Sequence, residues 1–191
     1  MDNNCHRPHL EKKGIRVFGV AESYRKFNSM STLAGVVMRR DRIIDGIVFG
    51  RSTFKGNDST EGILSMFRSL HRNDVNCIML GGIVISMYNI IDGEHIRRIT
   101  GIPVIAITFE DSKGLEDSIR YHFPDTYDSK LEQYAKIGKR VQVTLRTGKS
   151  LFIRYWGLTQ KQANLILDYF TFQGSVPEPI RIAKHVARAY I

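Results

Sequence analysis

The chain has 191 residues, 42% hydrophobic and 25% charged, enough length for one packed domain and an ordinary balance for a globular fold. No apolar run approaches the roughly 20 residues that span a bilayer, and the polar residues 1–13 lack the apolar centre of a secretory signal. With 28 Lys plus Arg against 19 Asp plus Glu, a net charge of +9, long-range attraction favours anionic partners, nucleic acid before an anionic membrane.

Residues 1–13 read as a flexible tail and residues 14–191 as a single domain. Cys5 falls in the tail and Cys77 in an apolar strand, so no disulfide is expected and a reducing cytoplasm fits. Residues 15–20 (IRVFGV) form a short apolar strand. Residues 31–39 and 42–50 are two more, joined by the short polar link at Arg39, Arg40 and Asp41, which predicts an antiparallel hairpin. Over residues 58–71 the period changes: Ile63, Leu64, Phe67 and Leu70 recur at helical spacing, after a segment rich in N-cap residues. Residues 75–80 are a fourth strand, broken at Gly81 and Gly82. Residues 92–100 read as a helix stopped by Gly101. Residues 103–108 (PVIAIT), nearly all apolar, predict a central fifth strand. Two short helices, residues 113–122 and 128–137, flank Pro124. Residues 140–145 and 150–155 bracket the turn sequence RTGK, a second hairpin. Residues 159–170 are amphipathic, and residues 179–190 form a last helix begun by Pro179.

A three-strand antiparallel meander, then two helix-linked strands that should lie parallel by a right-handed crossover, predicts an α/β fold. The order is that of a ribonuclease H-like mixed sheet, with extra helices and a C-terminal hairpin.

Several phrases, in this order and spacing, resemble an archaeal family related to endonuclease V, the endonuclease dU family. They are Gly19-Val20, Gly35-Val36-Val37 with Arg39, Ile44-Asp45-Gly46, DSTE at 58–61, Leu80 with Gly82, NIID at 89–92, TGIPV at 100–104, and Pro177-Glu178-Pro179 leading to Arg181 and Ala183. The resemblance covers most of the chain after residue 14. It implies a ribonuclease H-like fold and Mg²⁺-assisted cleavage of DNA near a deaminated base, deoxyuridine or deoxyinosine, in DNA repair. The implied partner is DNA, with RNA open and no membrane; the oligomeric state is not specified. Hard ions such as Mg²⁺ need oxygen ligands, which in such folds come from carboxylates at strand ends.

This sequence departs from that pattern at three positions. Ala21 stands where the family places an Asp after Gly19-Val20. Gly81 stands where it places an Asp after Leu80. Lys184 stands where it places a His, with His185 following. Neither alanine nor glycine offers a side-chain oxygen, so cleavage is expected to be weak or lost. If activity persists, Asp58, Glu61, Asp92 and Glu22 are the candidate catalytic acids, with Asp58 and Asp92 the candidate metal ligands.

Each of these has a structural reading beside it. Asp58 and Glu61 sit at helix-start spacing, and Asp92 also suits a cap. Glu22 follows Ala21 in a strand, so it should face the opposite way, as a solvated acid. For nucleic acid the candidates are Tyr24, Arg25 and Lys26, which interleave an aromatic with cations after strand one. Arg181 and Lys184 join them on one helical face with Arg188, a face that solvent would suit equally; Arg51 and Lys55 rank behind. No zinc spacing, P-loop, GxGxxG or Gly-x-Ser-x-Gly motif is present. Two alternatives to an active nuclease stand: a non-catalytic nucleic-acid-binding protein on the same fold, or an interaction protein whose basic surface meets an acidic protein.

Overall fold

The computed structural model describes residues 14–25, 28–111 and 114–190. The proposed tail, Cys5 and the candidate Lys26 lie outside the described residues.

The meander is present: β1 (Arg16–Ser23), β2 (Met30–Arg39) and β3 (Ile44–Thr53) pair antiparallel in sequence order. On its other side β1 pairs parallel with β4 (Cys77–Leu80), and β4 pairs parallel with β7 (Val104–Thr108). The expected second hairpin is β8 (Val141–Thr144) with β9 (Ser150–Trp156). It does not stand apart: β9 pairs antiparallel with β7 and extends the sheet to seven strands, in the order β3-β2-β1-β4-β7-β9-β8.

β1 and β4 are buried on both faces, which is why they read as unbroken apolar runs. The strand period splits their side chains between two cores. Val17 and Ala21 join the core under α5 (Gln160–Phe170) and α6 (Glu178–Ala189). Phe18 and Val20 join the opposite core, under α1 (Ser59–Ser69), α2 (Gly93–Thr100) and α4 (Tyr127–Lys136). A short helix α3 (Glu116–His122) precedes α4.

Local chemistry sets the element ends. The Asp92 side chain accepts the His95 N–H at 2.8 Å and caps α2, whose far end closes at Gly101 with φ 71°. Thr159 and Gln162 form a reciprocal capping box at the start of α5. α6 lies directly on β1: a Cβ at Gly19 would stand 2.5 Å from the Pro179 Cβ, so only glycine admits the helix at this distance.

Two differences from the sequence expectation bear on function. β1 runs past Val20 to Ser23, because Ala21, Glu22 and Ser23 find partners in Ala34, Leu33 and Thr32. The apolar stretch after Gly82 contains a small unexpected ladder, β5 (Val84–Ile85) with β6 (Asn89–Ile90).

Candidate functional site

β1, β4 and β7 run parallel, so their carboxyl ends open on one edge of the molecule, the usual place for a crevice in such sheets. A cavity of about 390 Å³ lies there. Its floor is Ala21, Gly81 and Ile180, one wall is Val84, Ile85 and Phe109, and Arg181, Lys184 and His185 of α6 form the rim. A second cavity of about 360 Å³ shares Gly81, Val84 and Phe109 with it and carries Arg140 and Arg154 on its far side. The two make one cleft.

The floor is apolar and tightly closed. Ala21 is 5% exposed and Ile180 3%. A Cβ at Gly81 would stand 2.8 Å from the Ile180 Cγ2 and 3.2 Å from the Val20 carbonyl oxygen. A hard divalent cation needs oxygen donors at these strand ends. The side chains on this floor are a methyl group, a hydrogen atom and the sec-butyl group of Ile180, so these residues do not fit Mg²⁺. Among the described residues no three His, Cys, Asp or Glu side chains gather closely enough to hold a metal ion.

Three of the four candidate acids, Asp58, Glu61 and Asp92, lie away from this cavity, and the four do not come together. Asp58 precedes α1 at the N-cap position but makes no capping bond. It reaches backward instead, accepting from the Thr53 N–H at 3.0 Å, the Thr53 hydroxyl at 2.6 Å and the Asn89 amide at 2.7 Å. Burial alone would raise its pKa; these hydrogen bonds outweigh that and hold the carboxyl below its ordinary value. Glu61 projects outward from α1, 3.5 Å from the His95 Nε2. Asp92 is the α2 cap, and its own N–H donates to the Thr60 hydroxyl at 3.0 Å.

Glu22 is the acid that borders the cleft. It points away from the Ala21 side, as alternation requires, but it is not a solvated loop acid. Its oxygens accept the Ser86 N–H, each at 3.0 Å, and the Ser86 hydroxyl at 2.7 Å.

That contact organises an unusual turn. Ser86, Met87 and Tyr88 all have left-handed backbone, with φ of 46°, 56° and 71°, at a cost of about 1–2 kcal/mol each for non-glycine residues. Three anchors hold it: Glu22 on Ser86, the Lys55 N–H on the Ser86 carbonyl at 2.8 Å, and the Lys130 ammonium on the Tyr88 carbonyl at 3.0 Å. Lys130, only 4% exposed, also donates to the Gly56 carbonyl at 2.6 Å and to Asn57 Oδ1 at 2.5 Å. Burial pushes its pKa down, and the Asp58 carboxylate partly offsets this.

Of the candidate nucleic-acid contacts, Arg181 and Lys184 border the cavity, and so does His185. Arg181 is ion-paired to the buried Glu178, 2.9 Å from its Nε. Lys184 and His185 are exposed and have no partner among the described residues. Tyr24 and Arg25 are exposed beyond the end of β1, Tyr24 edge-on to Phe54 at 5.5 Å. Arg51, Lys55 and Arg188 are exposed, and none of them lines the cavity. Ser86, Phe109, Lys130 and Ile180 were not legible as functional: a left-handed turn without glycine leaves no signature, and Ile180 reads only as core.

The sequence profile described as Endonuclease dU matches residues 13–191. A UPF0215 protein of Pyrobaculum calidifontis is 36% identical over 169 residues, covering 88% of this chain and 92% of that one. A crystal structure of a protein of unknown function from Archaeoglobus fulgidus superposes with a TM-score of 0.79 at 24% identity, covering 93% of this chain and 98% of that one. Endonuclease V of Ciona intestinalis, solved with DNA containing an inosine followed by a ribo-adenosine, gives 0.61 at 15% identity, covering 93% and 86%. The fold is ribonuclease H-like.

Proposed function

We infer that this chain, which belongs to the endonuclease dU family, binds DNA carrying deaminated bases in the cleft at the ends of β1, β4 and β7, with metal-dependent cleavage weak or lost. The observation that carries the reading is the exchange of chemistry on the cleft floor. Where strand-end carboxylates would grip a cation, Ala21, Gly81 and Ile180 pack against one another.

A cleft stripped of those acids repels phosphate less, and its rim supplies positive charge directly. Arg181 is held in place by Glu178, while Lys184 and His185 face outward. The net charge of +9 adds long-range attraction. Phe109, 37% exposed at the junction of the two cavities, offers a face on which a base can stack. The DNA and the deaminated base enter through the family; the apolar floor argues for binding over hydrolysis.

The test is fluorescence anisotropy with uracil-, hypoxanthine- and undamaged oligonucleotides over a salt series, with and without Mg²⁺. Binding should weaken steeply with salt and should not require Mg²⁺, which acts only as a further competing cation. Absence of binding to any nucleic acid at low salt would overturn the reading.

A further inference from the structure

We propose that Glu22 is the specificity-determining residue of this cleft: its fixed carboxylate accepts the ring N–H that deamination creates on a base. The inference rests on the binding reading above and adds the chemical group recognised.

The chemistry is that of one atom. In cytosine the N3 nitrogen, and in adenine the N1 nitrogen, carries a lone pair and accepts hydrogen bonds. Deamination turns the ring into uracil or hypoxanthine, and the same nitrogen becomes an N–H donor. A carboxylate accepts only. Facing the parent base it meets a lone pair and is repelled; facing the deaminated base it gains a charge-assisted hydrogen bond. Thymine and guanine carry the same N–H, so the paired comparisons uracil against cytosine and hypoxanthine against adenine isolate the effect.

The geometry suits this role. Among the described residues Glu22 is the one carboxylate lining the cavity that has the cations of α6 on its rim. A cavity of about 390 Å³ falls within the roughly 300–1,000 Å³ of small-molecule sites, and an extruded base is read there along its pairing edge. The carboxylate is already oriented, since Ser86 donates its N–H to both oxygens and its hydroxyl to Oε2. Oε1 carries only the N–H bond, so it keeps a lone pair for a ligand. The left-handed turn that delivers the Ser86 N–H is itself held by Lys130 and Lys55, which keeps the acceptor from rotating away. Val84, Ile85 and Phe109 line the same cavity with apolar surface, where an unsatisfied or repelled polar contact is costly.

The test uses the full chain and single-stranded oligonucleotides that differ at one central base, uracil or cytosine, hypoxanthine or adenine, in competition binding. The wild type should prefer each deaminated base by about tenfold or more, the scale of one well-placed base contact. In Glu22→Gln the amide oxygen keeps the Ser86 bonds and the NH₂ group turns to the base; the preference should vanish or invert, while the salt dependence stays that of the wild type. Should that variant fail to fold, 3-methyldeoxyuridine, which lacks the N–H, should bind the wild type no better than deoxycytidine. Equal wild-type affinity for both members of each pair, with salt-dependent binding intact, overturns the inference and leaves nucleic-acid binding by the cleft standing. Loss of all binding overturns both.

Discussion

The two sides of the β1 end were built from different materials. Toward α6, Ala21, Gly81 and Ile180 make an apolar contact so close that no Cβ fits at residue 81 without displacing Ile180. Toward the β5–β6 turn, Glu22, Ser86, Asn89 and Asp58 belong to a polar cluster with Ser31, Ser52 and Ser59, and Lys130 clamps the adjoining backbone at Gly56 and Tyr88. The first side presents no side-chain oxygen that could ligate a cation. The second carries acids, and each is committed to holding backbone. An acid that survives in a sequence is therefore not an acid available to a metal: Asp58 spends its lone pairs on Thr53 and Asn89, and Asp92 on the start of α2.

The sharpest way to break that contrast is to remove the centre of the polar side. Asn89 is fully buried and bonds Ser52, Thr53, Asp58 and the Ser59 N–H. Asn89→Ala should cost about 3 kcal/mol or more, because several buried partners are left unsatisfied; urea unfolding measures it. Gly81→Asp tests the apolar side. It should destabilise by about 1–3 kcal/mol through overpacking against Ile180, and Mg²⁺ should leave its melting temperature unmoved. A rise in melting temperature with Mg²⁺ would show that the crevice still accepts a cation.

Asp58→Asn should cost about 1–2 kcal/mol at neutral pH. Its carboxyl is held below its ordinary value by the Thr53 and Asn89 hydrogen bonds, so the stability it contributes is present above the ordinary value and is lost as pH falls through the lower folded value. The difference between variant and wild type should therefore shrink as the pH falls below the ordinary carboxylate value; a difference constant with pH would show that the charge plays no part. The smallest effect is on the rim: Lys184→Gln should reduce the salt slope of DNA binding by about one unit, as for the loss of one phosphate contact, with no change in stability.

Much of the fold was legible because it rests on apolar period. The strands of the meander, β4, β7 and the amphipathic α5 all announce themselves in this way, and the order of elements predicts the sheet. Of the site, the sequence shows that Ala21 and Gly81, which the structure places together in the cavity, cannot ligate a cation through their side chains. The use made of the candidate acids was not legible. Glu22 was placed facing away from Ala21, which holds, but its engagement with Ser86, 64 residues on, depends on a left-handed turn that no local motif encodes. Asp58 stood at a capping position and instead bonds backward to Thr53, a choice fixed by the loop that Lys130 clamps from α4. Long-range polar contacts of this kind have no periodicity to read.

The central claim meets its most direct test in a nicking assay on uracil-, hypoxanthine- and undamaged oligonucleotides, with and without Mg²⁺, under conditions where anisotropy shows the DNA bound. The expected result is bound DNA left intact, or cut only slowly, with Mg²⁺ present. Rapid Mg²⁺-dependent cutting that disappears in Asp58→Asn or Asp92→Asn would contradict it, and would mean that the acids now seen holding backbone had been gathered into a working centre.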